Sequence, residues 1–191
     1  MKSSLGYPIM LGCWGVVVAA SLVSLWAFET KPGKTQDMLH RWPSTSEIAS
    51  CQPERTLLMF IHPRCPCSDA SVVELENVLR QTNASATVVA WLPEAPTEEW
   101  TEAELVRRAA ELDGVTIHYD YGGKEAKRFG IKTSGHCLVF DESGSLVFSG
   151  GITGSRGHVG DNVGSKMIKQ HLESTSIHQT FPVYGCPLEK L

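Results

Sequence analysis

Two cysteines separated by a single proline, Cys65 and Cys67, are the residues with the clearest chemical potential in this sequence. They follow a continuous apolar run over residues 56–61 and precede a segment with helical apolar spacing. A thiol at a helix N-terminus faces unpaired amide groups and the positive end of the helix dipole, which favours the thiolate. Arg64 adds a neighbouring positive charge, which favours the thiolate further. We therefore expect Cys65 to be an exposed thiolate and the attacking nucleophile.

Cys67 is the nearest second thiol, and we predict that it resolves a mixed disulfide formed at Cys65. A Cys-x-Cys disulfide closes a small ring under geometric strain, so such a bond is comparatively easy to reduce. His62 directly precedes the turn and could assist proton transfer to a leaving thiolate. A turn-exposed histidine without any task is the alternative interpretation of His62.

The same residues could instead hold a metal ion. Cys65 and Cys67, together with His62 and His136, offer soft ligands suited to Cu(I) or zinc. No second pair of cysteines or histidines stands at the intervals typical of structural zinc sites. We therefore expect no cofactor, with copper or zinc as the alternative, and a purely structural thiol turn remains a third possibility.

Composition excludes one class of partner. The 191 residues carry a net charge of -4, with acidic and basic side chains interspersed, so the sequence has no basic patch for nucleic acid. The length accommodates one globular core of ordinary size.

Residues 6–28 contain no ionisable acid or base, and a helix of about 20 such residues spans a bilayer core. We predict a single-pass membrane anchor with the domain on the periplasmic or extracytoplasmic side; a cleaved signal peptide is the alternative. Five cysteines follow this segment, which suits disulfides outside the cytosol or metal ligands. Cys186 lies in a polar tail, and Cys51 is a candidate disulfide partner for it.

Apolar periodicity predicts strands over residues 56–61 and 86–92, and a hairpin of residues 137–140 and 145–149. Helices are expected after the cysteine turn, over residues 98–112 and 124–129, and after Asp161 or Asn162. This order indicates an α/β sandwich with one mixed central sheet. The expected organisation is an anchor over residues 1–33, a stalk over 34–50, a domain over 51–176 and a tail over 177–191.

Residues 60–68 (FIHPRCPCS) and residues 129–141 (FGIKTSGHCLVFD) resemble the redox turn and the later Thr-Pro segment of thioredoxin-like proteins. More narrowly, the Cys-Pro-Cys turn, the GGITGSRGH stretch and the tail FPVYGCPL resemble bacterial proteins labelled RedB. The resemblance implies a thioredoxin-like three-layer sandwich and a protein thiol or disulfide as partner.

Two positions depart from the family pattern. Ser68 stands where the family has its resolving cysteine, and Gly135 stands where it has the cis-proline beside the reactive sulfur. These departures put general disulfide reductase activity in doubt. Since the segment at Gly135 packs beside the redox turn in that fold, the resemblance also allows Cys65 to pair with Cys137 or Cys186. A buried structural role is the other interpretation of Cys137.

Residues 150–164 form a glycine-rich link that lacks the Gly-Lys-Ser/Thr ending of a phosphate loop. We expect a flexible surface loop, in which Arg156 and His158 are solvated charges; contact of either residue with a substrate or partner is the alternative.

Overall fold

The computed structural model describes residues 6–34, 39–49, 54–174 and 177–189. The chain forms two compact units, Met1–Lys31 and Pro32–Leu191. The first unit contains helix α1, Gly6–Thr30, which is exposed along its length. Its length and composition suffice to cross a membrane, and an N-terminal signal sequence has the same features.

The second unit is built on one mixed sheet of six strands. The strands are β1 Thr56–Ile61, β2 Ala86–Leu92, β3 Val115–Tyr121, β4 His136–Phe140, β5 Leu146–Gly151 and β6 Gln179–Thr180, in the spatial order β3-β2-β1-β4-β5-β6. Strands β1, β2 and β3 are parallel, β4 runs antiparallel to β1 and β5, and β6 is parallel to β5. The continuous apolar sequence of β1 fits its central place, because both of its faces are buried.

The described residues of this unit contain five helices: α2 Ser68–Thr82, α3 Glu98–Thr101, α4 Glu104–Ala110, α5 Lys124–Arg128 and α6 Val163–Glu173. Alternate residues of the central strands divide between two apolar clusters. One cluster includes side chains of α2, α4 and α6, and the other includes Phe129, Trp42 and Ala126 of α5. The result is a three-layer α/β sandwich, as the sequence predicts.

Several element bounds differ from the sequence-based prediction. The helix expected over residues 98–112 is two short helices, because Ala103 has an extended ψ of 134° and interrupts the helical backbone. Strands β3 and β6 were not predicted. β3 carries polar residues and a half-exposed surface, and β6 has only two residues, so neither gives a strong periodic signal.

The expected stalk also differs, because its described residues pack on the domain. The Trp42 ring contacts the Phe129 and Phe140 rings at centroid distances of 5.2 and 4.9 Å, and Ile48 is buried. The Gly33 amide donates a 2.7 Å hydrogen bond to the Val183 carbonyl. Residues 32–34 and 39–49 are therefore part of the folded domain rather than a spacer outside it.

Candidate functional site

The cysteine turn joins the end of β1 to the start of α2. The Cys65 amide donates to the His62 carbonyl at 3.0 Å, and the Ser68 amide donates to the Cys65 carbonyl at 3.1 Å. Cys67 occupies the N-cap position, and its own side chain makes no capping hydrogen bond. The turn thus holds both thiols at the amino end of α2, as the sequence predicts.

A third thiol completes this group. The sulfur atoms of Cys65, Cys67 and Cys186 all lie within 4.8 Å of one another. Cys186 reaches the turn from the tail that the sequence predicts over residues 177–191, of which residues 181–189 follow β6 and are described. The resemblance allowed a pairing of Cys65 with Cys186, whereas the alternative partner Cys51 lies outside the described residues.

Cys65 is buried, with 2% of its surface exposed, although the sequence led us to expect an exposed thiol. Burial alone raises the pKa of the Cys65 thiol, because it disfavours the anion. Four hydrogen bonds act in the other direction, from the Ser68 hydroxyl, the Cys186 thiol and the backbone amides of the same two residues. Together they outweigh burial, so the pKa of Cys65 lies below the ordinary value of a thiol. Cys65 is therefore the group of the three most readily ionised.

Arg64 does not have the role expected for it. Its guanidinium lies 4.1 Å from the Trp100 ring centroid and forms a 3.2 Å ion pair with Glu99, half-exposed to solvent. Arg64 therefore supplies a cation–π contact beside the turn, and hydrogen bonds rather than its charge stabilise the Cys65 thiolate.

Arg156 is the arginine that does reach the thiols. It donates a hydrogen bond to the Gly185 carbonyl in the tail, and it lowers the pKa of Cys67 by its charge and by a hydrogen bond. Burial and the nearby Cys65 charge have the larger effect, so the pKa of Cys67 is raised overall. The expectation that Arg156 is a solvated loop charge is wrong, because its side chain contacts the tail and Cys67. Such contacts between distant segments cannot be inferred from local composition.

The glycine-rich segment is also anchored more firmly than expected. The buried Glu74 carboxylate of α2 accepts a 2.8 Å hydrogen bond from the Gly160 amide, and Ile152 and Thr153 are buried. His158, by contrast, is exposed as predicted.

His62 is fully buried in an aromatic cluster. Its ring stacks on Trp91 at 5.2 Å and meets the edge of Trp100 at 5.5 Å. Burial, with a smaller effect from Arg64, lowers the pKa of His62 to about 4. Its Nδ1 accepts a 3.1 Å hydrogen bond from the Arg64 amide, so the neutral imidazole carries its proton on Nε2. Near neutral pH the His62 imidazole is therefore neutral, and it packs between Trp91 and Trp100.

His136 and Cys137 are adjacent on β4 and therefore point to opposite faces of the sheet. Nε2 of His136 pairs with the Ser149 hydroxyl at 2.9 Å, and burial lowers the His136 pKa to about 4. Cys137 belongs to the apolar cluster against α2, where burial strongly raises its thiol pKa. Among the described residues, the potential metal ligands that lie together are Cys65, Cys67 and Cys186. The predicted ligands His62 and His136 do not belong to this group.

Gly135 precedes β4 and has a φ of +85°, a conformation that proline cannot adopt. Its amide donates a 2.7 Å hydrogen bond to the Phe60 carbonyl. A Cβ atom at this position would lie 2.9 Å from the Ser71 hydroxyl oxygen. Glycine is therefore required by the local backbone, and it brings residues 133–135 against the cysteine turn.

No protein-family model and no curated protein matches the chain. An uncharacterized conserved protein from Geobacillus kaustophilus has a similar solved structure, with a TM-score of 0.55 and 19% identity over 83% of this chain and 92% of that chain. The topology of this chain is a parallel β1-α2-β2 unit followed, later in the sequence, by the antiparallel β4-β5 hairpin and α6. The fold is thioredoxin-like.

Two further similar structures are named for their families. A secreted disulfide oxidoreductase of Mycobacterium tuberculosis, homologous to E. coli DsbE, gives a TM-score of 0.41 and 18% identity, over 50% of this chain and 67% of that chain. A SCO1/SenC family lipoprotein from Bacillus anthracis gives a TM-score of 0.45 and 10% identity, over 63% of this chain and 80% of that chain. At these identities the similarity concerns the fold alone.

Proposed function

We propose that this domain carries out thiol-disulfide exchange, with Cys65 as the attacking thiol. The observation that carries the proposal is the group of three sulfur atoms within 4.8 Å, in which Cys65 accepts hydrogen bonds that favour its thiolate. A nearby second thiol is what exchange needs after the first attack, since a mixed disulfide must be released. The resemblance of the turn, loop and tail to proteins labelled RedB agrees with this function.

The reaction proceeds in two displacements. The Cys65 thiolate attacks one sulfur of a partner disulfide, forms a mixed disulfide and expels the other partner sulfur as a thiolate. A second thiol of this chain, Cys67 or Cys186, then attacks the Cys65 sulfur and releases the partner's remaining cysteine. Two electrons pass from the protein's thiol pair to the partner, and the reverse sequence oxidises a partner dithiol.

Trapping in cells tests this proposal. Cells expressing the full chain are treated with an alkylating reagent that freezes thiol exchange, and mixed disulfides are separated without reductant. Adducts should form with the unaltered chain and disappear with Cys65→Ser. Cys13→Ser, a change within the apolar helix α1, is the control and should leave the adducts unchanged. Adducts that persist in Cys65→Ser would refute the role of Cys65.

Metal binding or delivery is the second candidate, and the same three sulfurs favour it. Three thiolates form a soft donor set suited to Cu(I) or zinc, and a bound ion would require all three to be deprotonated. Elemental analysis of the purified protein distinguishes the two functions. Near-stoichiometric copper or zinc that is lost in both Cys67→Ser and Cys186→Ser favours metal binding, whereas metal-free protein with a reducible disulfide favours exchange.

A further alternative is a partner-binding domain that has kept the fold without the chemistry. Replacement of both Cys65 and Cys67 would then leave the cellular phenotype unchanged.

For the proposed thiol-disulfide exchange, the partner is a protein thiol or disulfide outside the cytosol, reached by a domain that helix α1 anchors to the membrane.

A further inference from the structure

The C-terminal tail is paired with the segment that precedes Gly135. The Ser134 amide donates a 2.8 Å hydrogen bond to the Cys186 carbonyl, and the Leu188 amide donates a 3.0 Å bond to the Lys132 carbonyl. Thr133 and Pro187 form an antiparallel bridge. This short ladder fixes the tail's backbone in the position that places the Cys186 side chain over the cysteine turn.

Gly185 allows the tail to approach this closely. A Cβ atom at Gly185 would lie 1.9 Å from the Ser134 carbonyl oxygen, so any other residue would force the two segments apart. Arg156 donates to the Gly185 carbonyl from the glycine-rich segment. Cys186 is therefore held by specific contacts on both sides of its backbone, which an incidental tail cysteine would not need.

We propose that Cys186 is the resolving thiol of this site, so that the protein cycles through a disulfide between Cys65 and Cys186. The inference rests on the proposed thiol-disulfide exchange and names its second thiol. The sulfurs of Cys65 and Cys186 already lie within 4.8 Å of each other and must close to a bond length of about 2 Å to form this disulfide.

Ring size favours Cys186 over Cys67. A disulfide between Cys65 and Cys67 closes a ring across a single intervening proline and must fit the backbone at the start of α2. A disulfide to Cys186 joins segments that are distant in sequence and already in contact in the fold. Closing the longer loop also removes more entropy from the unfolded chain, so this disulfide stabilises the native state more.

The contact also gives the two thiols a fixed order of action. While Cys65 is a thiolate, the Cys186 thiol donates a hydrogen bond to it and so keeps its own proton. Burial, followed by the Cys65 hydrogen bond and charge, raises the pKa of Cys186 to about 12. Once Cys65 is in a mixed disulfide, its negative charge no longer contributes to this rise, whereas burial still does. To form the Cys65–Cys186 bond, the Cys186 thiol gives up its proton and attacks the Cys65 sulfur, and the partner sulfur leaves as a thiolate.

Reaction of the reduced full chain with glutathione disulfide tests the inference. In the unaltered protein, Cys65 attacks and releases one glutathione, and Cys186 then displaces the second, leaving a Cys65–Cys186 disulfide that peptide mass mapping identifies. Cys186→Ser should stop at a glutathione adduct on Cys65. Cys51→Ser is the control and should still release both equivalents. Cys67→Ser distinguishes the two candidate resolving thiols, and its peptide map should still contain the Cys65–Cys186 disulfide.

The outcomes separate the two proposals. A Cys186→Ser protein that releases the second glutathione at the unaltered rate, or a map that shows Cys65–Cys67 or Cys51–Cys186 in the unaltered protein, overturns the role of Cys186 and leaves exchange at Cys65 intact. Absence of any adduct on Cys65 in every variant overturns the proposed function itself. Cys186→Ala should stop at the same adduct, and unchanged thermal unfolding of both variants shows that misfolding is not the cause.

Discussion

A chain of three hydroxyl and amide donors ends at the Cys65 sulfur. The His62 amide donates to the Ser134 hydroxyl oxygen at 2.7 Å, and the Ser134 and Ser68 hydroxyls lie 2.6 Å apart. Because Ser134 already accepts from His62, it can donate its own hydrogen to Ser68. The Ser68 hydrogen is then free for Cys65, and each member of the chain is buried. Ser68 thus stabilises the thiolate from the position where the family has a second thiol.

Ser68→Ala should raise the pKa of Cys65, because burial then acts with less opposition. A hydrogen bond to a charged group contributes about 1.5–3 kcal/mol, so the thiolate population near neutral pH should fall roughly tenfold or more. A titration of thiolate ultraviolet absorbance measures this change. Ser71→Ala removes another buried serine of α2 and is the matched control, expected to titrate like the unaltered protein.

The sign of the pH dependence follows from the same contacts. Cys65 ionises at a lower pH than Cys67 and Cys186, whose pKa values are raised. The first step of the titration should therefore vanish in Cys65→Ser, and reactivity should fall as the pH drops through the pKa of Cys65. A first step that survives in Cys65→Ser would contradict the assignment of the thiolate.

The loop that enters β4 determines how closely the tail can approach the cysteine turn. Gly135 combines a positive φ, a hydrogen bond to the Phe60 carbonyl and close contact with Ser71. These three constraints are met together only without a side chain. The loop can then pass beside the turn and pair with the tail.

Gly135→Pro, which introduces the residue that thioredoxin-like proteins have beside the reactive sulfur, should destabilise this protein. The change removes the amide donor and imposes a φ near −65°, and we expect a loss of about 3 kcal/mol or more in the free energy of unfolding. Denaturant titration of the unfolding midpoint measures the effect. Gly144→Ala, at another positive φ in the β4-β5 turn, is the control and should lose only about 1–2 kcal/mol. Equal losses would show that φ alone matters at Gly135.

The strongly periodic elements could be predicted from the sequence, and the contacts between distant segments could not. The apolar runs of β1 and β2 gave their bounds, and Asn162 caps α6 by accepting a 2.9 Å bond from the Ser165 amide. The position of Cys65 and Cys67 followed from the turn motif. The approach of Arg156 and Cys186 depends on close packing between a loop and the tail, for which local sequence carries no periodic signal.

At the scale of the whole molecule, the polar segment that precedes β1 completes the second apolar cluster. The Trp42 amide donates to the Gly144 carbonyl at 2.9 Å, and the Leu146 amide donates to the His40 carbonyl at 2.9 Å. The Ser46 hydroxyl donates to the Glu125 carboxylate at 2.6 Å. These bonds tie the segment to the β4-β5 turn and to α5, although its composition resembles that of a linker.

A chain that begins at Pro32 should therefore keep the thermal stability of the domain, whereas a chain that begins at Glu54 should lose much of it. Trp42→Ala in the longer chain should lower the free energy of unfolding by about 2 kcal/mol or more, since the ring packs against Phe129 and Phe140. Calorimetry or circular dichroism measures both. Equal melting temperatures for the two chains would contradict the packing of residues 39–49.

The aromatic cluster beside the turn provides the protein with its own optical reporter. Trp91 and Trp100 lie 5.8 Å apart, both contact His62, and the Arg64 guanidinium covers the face of Trp100. Indole fluorescence depends on such neighbouring groups, so a change in the turn that displaces Arg64 or His62 should alter the emission. The state of the cysteine pair can then be followed in real time without attaching a dye.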